Sequence, residues 1–173
     1  MELKHECFRD YVNPVFFETG SYAGDGIQAA IDSGFKTIFS MEVNPLNVEE
    51  CQVRFDGNLD VYIIKGDSCI NLLDNIKGIN SKITFWLDAH YSGEGSGKGI
   101  VKYPLLYELN QIRQHSRHDH TIIIDDIRRW RGFNRERDYD VSNVIDTIMA
   151  INPRYTIDFC DGTEKDDVLI AHL

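Results

Sequence analysis

The sequence has little of several features that would assign it to a special class of protein. Its four cysteines, Cys7, Cys51, Cys69 and Cys160, are scattered and form no C-x-x-C pair. Such thiols indicate reduced cysteines of a cytosolic protein, not a disulfide framework or a zinc site. No apolar run approaches the roughly 20 residues that a membrane-spanning helix needs, and the polar first ten residues do not resemble a signal peptide. The sequence therefore predicts a cytoplasmic protein with no membrane partner.

Positive charge is also scarce. Lysine and arginine together number 18 against 28 aspartates and glutamates, and the formal net charge is −10. Because affinity for nucleic-acid phosphates comes mainly from cationic side chains, this balance argues against a duplex nucleic acid as partner. Five arginines are nevertheless concentrated within ten residues: Arg128, Arg129, Arg131, Arg135 and Arg137. Two interpretations stay open, namely pairing with the nearby acids Glu136, Asp138 and Asp140, or an anion-attracting rim beside an active site.

Apolar segments alternate with helical patterns along the whole chain. Strands are predicted near residues 15–19, 37–42, 61–66, 83–88, 120–125, 154–160 and 167–172, and helices near 25–33, 46–56, 68–76, 101–114 and 141–151. This alternation is typical of a Rossmann-like α/β domain with a mostly parallel, seven-stranded sheet and helices on both faces. The last two strands are too close in sequence for a parallel crossover, so they predict a C-terminal antiparallel hairpin. The length favours one domain over residues 1–173.

A glycine-rich turn follows the first predicted strand. The run VFFETGSYAGDG at residues 15–26 places Glu18 two residues before Gly20, with Gly24 and Gly26 just after. Glycines here let the backbone turn sharply and let a ligand lie against bare peptide groups. In open α/β sheets such a unit forms a crevice for a small molecule at the carboxyl end of the strand. Its G-x3-G-x-G spacing differs from the G-x-G-x-x-G of dinucleotide-binding domains.

The next two predicted strands each end in an acid. Glu42 lies about twenty residues after the glycine turn, where a carboxylate can accept hydrogen bonds from both ribose hydroxyls of a nucleoside. Asp67 follows the third strand, where it can face an adenine amino group or form the N-cap of the next helix. Acids at the ends of three successive strands together favour a nucleoside-binding crevice.

The glycine turn, the acids and the terminal hairpin together resemble the class I methyltransferases, which bind S-adenosylmethionine. This resemblance covers nearly the whole chain, and it implies the seven-stranded methyltransferase sheet and methyl transfer from that cofactor. It also implies a set of cofactor-binding positions: Glu18, Thr19, Gly20, Ser21, Tyr22, Gly24, Glu42, Val43, Gly66, Asp67, Ser68 and Asp88.

Carboxylates also end the fourth and fifth predicted strands, as Asp88 and as the pair Asp125-Asp126. Adjacent strands would bring the three carboxylates to one rim, where they repel one another unless protons or a cation lie between them. Hard oxygen ligands suit Mg²⁺ or Mn²⁺. The alternative is that Asp88 or Asp126 only caps the next element.

This pattern of acids resembles the cation-dependent O-methyltransferases, above all the macrocin type that methylate sugar hydroxyls. The resemblance implies Asp88, Asp125 and Asp126 as metal ligands and a sugar, glycan or other vicinal-diol acceptor that chelates the ion. The base in these enzymes follows the first metal acid by two or three positions. His90 is therefore the candidate base beside Asp88, and Tyr91 is the reserve.

Only about fourteen residues precede the first predicted strand, so the N-terminal helices that usually cover the cleft of this family are nearly absent. We expect an open cleft, closed partly by residues 92–99 and 127–140 or by the second subunit of a homodimer. The chain is equally compatible with one domain of a larger polypeptide.

Other residue types give weaker signals. The polar connection before the fifth strand predicts surface positions for His115, His118 and His120, not a zinc site, because no cysteine lies nearby. Trp86 is predicted in the core, whereas Trp130 is expected to stack on a sugar face or to cover its loop. Two alternative functions remain, a nicotinamide-dependent Rossmann oxidoreductase and a cofactor-binding domain without turnover.

Overall fold

The computed structural model describes residues 3–93, 95–132 and 139–173. Within these ranges the strands are β1 (Val15–Thr19), β2 (Ile38–Glu42), β3 (Val61–Lys65), β4 (Ile83–Leu87), β5 (Thr121–Ile124), β6 (Thr156–Cys160) and β7 (Val168–His172). The α-helices are α1 (Asp25–Ser33), α2 (Pro45–Arg54), α3 (Ser68–Ile76), α4 (Leu105–Arg113) and α5 (Val141–Ile151). Two 3-10 helices cover Leu3–Tyr11 and Ile127–Trp130. None of these helices is long and apolar enough to cross a membrane.

The strands form one seven-stranded sheet in the order β3-β2-β1-β4-β5-β7-β6. The first five strands are parallel, whereas β7 is antiparallel to both β5 and β6. Thr19 at the end of β1 pairs with Met41 on one side and Leu87 on the other. The carboxyl ends of the parallel strands therefore meet at one edge of the sheet. The predicted fold class, including the C-terminal hairpin, is confirmed.

Helix boundaries follow local sequence signals in most places. Asn44 caps α2 through its side chain, with Pro45 in the first turn, and Gly34 ends α1 in a left-handed conformation. The prediction for the fourth helix was wrong at its start, because α4 begins at Leu105, not near residue 101. Pro104 accounts for the difference, since the residue before a proline is disfavoured in helical geometry. Residues 91–93 and 95–104 thus belong to a long irregular connection on the cleft side of the sheet.

Each face of the sheet carries its own hydrophobic core. Phe17 and Phe85 point to the face covered by α3, α4 and α5, and both are fully buried. Phe16 and Trp86, one position away on the same strands, point to the face covered by α1, α2 and the N-terminal 3-10 helix. Side chains alternate along a strand, so neighbouring aromatics supply both layers. The predicted core position of Trp86 is confirmed.

Few residues precede β1, yet they form a helix that packs over α1 and the sheet. The 3-10 helix Leu3–Tyr11 packs on α1, and its Phe8 ring lies 5.1 Å from Phe16 and 5.0 Å from Trp86. Phe8 is fully buried. The short N-terminal segment therefore closes one end of the structure through aromatic packing.

Two of the histidines that were predicted at the surface are buried. His115 is 2% exposed and His120 is inaccessible, so that prediction was wrong for both, while His118 is exposed. The amide of Ile83 donates to Nδ1 of His120, and Nε2 of His120 lies 2.9 Å from Nδ1 of His115. Nε2 of His115 in turn lies 3.1 Å from the carbonyl oxygen of Ile76. Nδ1 of each imidazole accepts a hydrogen bond from a backbone amide, so Nε2 is the nitrogen that donates, an order that the sequence spacing does not reveal.

Candidate functional site

The turn after β1 lies tightly against the end of β4. Gly20 has a φ angle of +86°, and a Cβ atom at this position would lie 2.6 Å from the carbonyl oxygen of Asp88. Its amide donates to the carbonyl of Met41 at 2.8 Å, which ties the turn to β2 as well. Glycine alone tolerates both the left-handed conformation and the close approach. The turn therefore brings the ends of three strands together.

Glu18 lies buried beneath this turn, with 1% of its surface exposed. The hydroxyl of Ser40 donates to Glu18 Oε2, and it lies 2.5 Å from the hydroxyl of Ser21. A Cβ atom on Gly26 would collide with Glu18 Oε1. The first turn of α1 is thus packed directly on the carboxylate, and Glu18 connects β1, β2 and α1.

The two acids predicted to face a nucleoside are both held by backbone amides. Glu42 accepts hydrogen bonds from the amides of Tyr22 at 2.9 Å and Asn44 at 2.8 Å. Asp67 accepts from the amide of Cys69 at 3.0 Å, which makes it the N-cap of α3, and from the amide of Ile100 at 2.7 Å. These bonds fix the orientation of both carboxylates toward the cleft. Asp67 is a cap and a cleft residue at once, so the two interpretations of this acid do not compete.

The irregular connection after β4 covers the side of the cleft that holds these two acids. The side-chain amides of Asn44 and Asn47 both donate to the carbonyl of Gly95 at 3.3 Å. A Cβ atom on Gly97 would lie 2.9 Å from Glu42 Oε1, and one on Gly99 would lie 2.6 Å from the carboxyl carbon of Asp67. The backbone of this segment therefore forms a wall of the cleft beside Glu42 and Asp67. Glu94, within the expected covering segment 92–99, lies outside the described residues.

One cleft connects most of the predicted positions. It encloses about 880 Å³ of empty space, part of it open to solvent, and its lining includes Gly20, Tyr22, Glu42, Val43, Gly66, Asp67, Ser68, Asp88, His90 and Asp126. Ser21 and Glu18 line an adjoining arm, which shares Gly20, Tyr22 and Asp88 with the main cleft. Thr19 is buried beneath the floor, and Gly24 supports the turn against the Phe55 ring from below. Asp125 is buried behind the rim.

His90 lies between two of the predicted metal acids. Its Nε2 is 3.0 Å from Asp126 Oδ2 and its Nδ1 is 3.4 Å from Asp88 Oδ1. The ring is nearly buried, with 7% of the side chain exposed, and it meets the Trp130 indole edge-on. One ligand atom from each of Asp88, His90 and Asp126 can be chosen so that all lie within 4.8 Å of one another. The geometry brings acid, imidazole and acid to one point of the cleft.

Asp125 belongs to a second acidic group, together with Asp126 and Asp167. This group is neutralised by arginine: Arg128 forms ion pairs with Asp126 and Asp167, and its amide donates to Asp167 at 2.9 Å. Arg129 pairs with Asp126 at 2.8 Å and also lines the cleft. Arg128 and Arg129 thus pair with Asp126 and Asp167, whereas the third carboxylate, that of Asp125, accepts a hydrogen bond from the amide of Asp126.

Of the arginines in this segment that the structure describes, Arg128 and Arg129 pair with acids. Arg131 donates to the backbone carbonyl of Asp166, and it does not form a free anion-binding rim. The partners of Arg128 and Arg129 differ from the acids that were suggested, because Asp126 directly precedes the segment and Asp167 is brought in by the start of β7. Arg135 and Arg137, with most of the expected loop 127–140, lie outside the described residues.

The environment of Asp126 keeps this group ionised. Burial by itself would raise its pKa, but hydrogen bonds from His90 and Arg129 and the charge of Arg128 together lower the pKa well below its usual value. Asp126 is also one of the few non-glycine residues with a left-handed backbone, at φ 56°. That conformation starts the 3-10 helix Ile127–Trp130 and turns the carboxylate toward His90.

Comparisons with known proteins agree at the level of the fold. No family model matches this sequence, and no curated protein matches it. An O-methyltransferase from Bacillus cereus in complex with SAH superposes with a TM-score of 0.70 at 14% identity, over 98% of this chain and 79% of that one. SAH-bound methyltransferase PaMTH1 from Podospora anserina gives 0.60 at 14% identity, over 98% of this chain and 75% of that one.

The chain has the fold of the class I S-adenosylmethionine-dependent methyltransferases. The N-methyltransferase NodS from Bradyrhizobium japonicum shares the class I fold as well, with a TM-score of 0.58 at 13% identity, over 98% of this chain and 89% of that one. Both oxygen and nitrogen acceptors therefore occur among the neighbours, so the class I fold does not identify the acceptor.

Glu108 was not among the candidate residues predicted from the sequence. It lies on α4, is 1% exposed, and borders a small cavity together with His90 and Trp130. Burial raises its pKa to about 7, although the hydroxyls of Ser68 and Thr19 oppose this effect. A signal was present, because Glu108 occupies a core-facing position of the apolar pattern formed by Leu105, Leu109 and Ile112. An acid on an apolar helical stripe predicts a buried carboxyl group.

Trp130 covers its loop and is not available to a sugar. The side chain is 2% exposed and lies between His90 and Tyr103, with ring centroids 6.2 Å and 6.4 Å away. Of the two roles expected from the sequence, covering the loop is confirmed. Its contact with His90 helps to hold the imidazole in the cleft of the class I fold.

Proposed function

We propose that the protein is an S-adenosylmethionine-dependent O-methyltransferase, assisted by a divalent cation, that methylates a hydroxyl of a sugar, glycan or other vicinal-diol acceptor. One observation carries the proposal: a single cleft connects Glu42 and Asp67 at one end with Asp88, His90 and Asp126 at the other. The solved structures with bound SAH support the same ligand for the first end.

The first end fits the adenosine part of the donor. Glu42 uses one lone pair of each oxygen for a backbone amide, and a carboxylate has further lone pairs for two ribose hydroxyls. Gly20 and Gly66 line the cleft without side chains, so their peptide groups are accessible to a ligand. When bound, the cofactor supplies a methyl group on a positively charged sulfur. Asp88, at the centre of the cleft, supplies negative charge beside that position.

The second end fits a divalent cation in its donor atoms. Asp88 and Asp126 offer hard carboxylate oxygens that lie within 4.8 Å of one another. When bound, such an ion lowers the pKa of a hydroxyl that coordinates it. Arg128 and Arg129 hold the Asp126 carboxylate in a fixed orientation. Asp125 remains a predicted ligand. One oxygen of its carboxylate accepts a hydrogen bond from the amide of Asp126 at 2.8 Å.

His90 is the group that receives the hydroxyl proton. Asp126 accepts the hydrogen of Nε2, which leaves the lone pair of Nδ1 on the side of Asp88 and the cleft. An imidazole oriented in this way by a carboxylate suits a general base, because its free nitrogen faces the cleft. Oxygen acceptors need such a base, because an alkyl hydroxyl is a poor nucleophile.

Replacing Glu42 with alanine is expected to weaken binding of S-adenosylhomocysteine at least tenfold. Hydrogen bonds to a charged group are worth about 1.5–3 kcal/mol each, and the variant removes those to the ribose. Isothermal titration calorimetry measures the effect, with thermal unfolding as a check of the fold. The matched control is Glu50→Ala, at an exposed position on α2. Equal affinities of the Glu42 variant and the original protein would contradict the ribose role.

Removal of divalent cations is expected to abolish methyl transfer, and added Mg²⁺ or Mn²⁺ is expected to restore it. Asp88→Asn should remain inactive after the addition, because the neutral amide binds the ion more weakly than the carboxylate does. Asp56→Asn, at an exposed site, should behave as the original protein. Transfer of tritium from labelled donor to a panel of glycans measures the activity. Turnover that survives exhaustive chelation would remove the cation from the proposal.

The same tritium assay separates the proposed enzyme from a domain that binds the cofactor without turnover. Such a domain would bind S-adenosylhomocysteine with the same dependence on Glu42 but would label no acceptor. A nicotinamide enzyme would instead show thermal stabilisation by NAD and none by S-adenosylhomocysteine.

A further inference from the structure

The cleft has three arms that meet at Gly20 and Asp88. One arm leads to Glu42 and Asp67, and a second leads to His90 and Asp126. A third arm leads beneath the glycine turn to the N-terminal 3-10 helix, and we call it the His5 arm. The main cleft and the His5 arm share Gly20, Tyr22 and Asp88, so they form one continuous space.

A sulfonium donor also has three substituents around one atom. If the proposed function holds, adenosine occupies the arm of Glu42, and the methyl group points to the acceptor at His90. The remaining substituent, the aminocarboxypropyl chain, must then enter the His5 arm. This assignment follows from the shape of the cleft, because the other two arms are taken.

The charges along the His5 arm are unequal. Glu18, Asp25 and Asp88 line it, and they can accept hydrogen bonds from the ammonium group of an amino acid. Its carboxylate group needs a donor or a positive charge. Among the described residues that line this arm, His5 is the side chain that can carry a positive charge. Asp25 is in addition paired with Arg54 at 2.8 Å, which draws its charge away from the arm.

His5 is held in place before any ligand enters. The side chain belongs to a residue that is 4% exposed, and its ring lies 5.2 Å from Phe8 and 5.4 Å from Trp86. The contact with Trp86 is edge-on, with an interplanar angle of 71°. A ring fixed by two aromatics loses little entropy on binding, which favours a role in recognition.

We propose that His5 binds the carboxylate of the amino-acid end of S-adenosylmethionine and of S-adenosylhomocysteine. The N-terminal 3-10 helix is then part of the binding site and not only a cover for the core. The proposal rests on the proposed function, and it adds a residue that no sequence motif indicates.

The test compares two ligands that differ only at this end. S-adenosylhomocysteine carries the amino-acid chain, whereas 5′-methylthioadenosine has a methyl group in its place. Calorimetry with the full chain gives the dissociation constants of both ligands for the original protein and for His5→Phe. Phenylalanine keeps the ring between Phe8 and Trp86 but removes both nitrogens.

We expect His5→Phe to weaken the binding of S-adenosylhomocysteine about tenfold or more, the effect of a lost charge-assisted hydrogen bond. The affinity for 5′-methylthioadenosine should change less than about twofold. The affinity of His5→Gln, which keeps a hydrogen-bond donor, for S-adenosylhomocysteine should lie between those of the original protein and of His5→Phe. His118→Gln, at an exposed site, should change the affinity for neither ligand. Equal losses for both ligands, or no loss for either, would overturn the role of His5. If the original protein binds neither ligand, the proposed function itself fails.

Discussion

Replacing His90 with alanine is expected to lower the turnover number about 10²–10⁴-fold, while the affinity for S-adenosylhomocysteine stays within about threefold of the original. The loss falls on the chemical step because the side chain lies at the acceptor end of the cleft, away from Glu42 and Asp67. The predicted cofactor position beside it is Asp88, whose Oδ1 lies 3.4 Å from Nδ1 of His90.

The expectation rests on how the ring is held. Asp126 lies 3.0 Å from Nε2, and this aspartate is itself fixed by ion pairs with Arg128 and Arg129. Trp130 blocks rotation on one side. A base that is already oriented needs no reorganisation when a hydroxyl arrives, and such positioning supplies much of the rate of a group transfer.

A second substitution separates proton transfer from positioning. Glutamine at position 90 can still donate to Asp126, but it cannot accept a proton at neutral pH. We expect His90→Gln to be as slow as His90→Ala in the tritium assay, with His118→Gln as the unaffected control. If glutamine restores turnover, His90 only positions Asp126. If alanine leaves turnover undiminished, another group is the base, and Tyr91 is the next candidate.

The stability of the protein is expected to show two opposite pH effects that nearly cancel between pH 4 and pH 7. Burial, assisted by the neighbouring His115, lowers the pKa of His120 from 6.5 to about 4. Burial raises the pKa of Glu108 from 4.5 to about 7. Each change in pKa corresponds to about 3 kcal/mol of stability over its pH range.

The two groups act with opposite signs. Between pH 6.5 and 4 His120 becomes protonated in the unfolded chain but not in the folded chain. The contribution of His120 to stability is therefore fully present above pH 6.5 and is lost as the pH falls toward 4. Between pH 7 and 4.5 the folded chain keeps the proton on Glu108 while the unfolded chain releases it. Stability from Glu108 is therefore complete below pH 4.5 and is lost as the pH rises through 7.

Single variants should expose each effect. The free energy of unfolding of Glu108→Gln, from urea titrations at intervals of pH, should fall by about 3 kcal/mol on acidification from pH 7 to 4, because Glu108 no longer offsets the effect of His120. For His120→Gln it should rise by a similar amount over the same interval. His118→Gln, an exposed control, should follow the shallow profile of the original protein. Parallel profiles in all four proteins would show that these two buried groups do not govern the pH dependence.

Local signals predicted the fold, and they also grouped the glycine turn with the acids at the strand ends that line the cleft. The strands, the glycine turn and the caps at Asn44 and Asp67 depend on residues close in sequence, and hydrophobic period and turn chemistry are visible there. Acids at strand ends could be grouped because parallel strands bring their carboxyl ends to one edge. The start of α4 was misplaced, since its boundary depends on Pro104 and on packing of the segment before it.

Contacts between distant segments were beyond this reasoning. Arg128 lies near Glu136 in sequence but pairs with Asp167, which follows α5 and β6 in the chain. His115 and His120 look polar in sequence, yet their hydrogen bonds to each other and to the backbone make burial possible. Glu108 lies within the helix predicted near residues 101–114 but was not singled out, although its place on the apolar stripe signalled a buried carboxyl group.

The amino-acid sequence alone determined the order of strands and helices, the sharp turn at Gly20 and the acids that end each parallel strand, since these follow from periodicity and backbone sterics. Only the tertiary structure decided that His90 bridges Asp88 and Asp126, that arginines neutralise the second acidic group, and that His5 reaches the cleft. The reason is physical: side-chain orientation, burial and charge pairing depend on which distant segments pack together, and no local pattern encodes those distances.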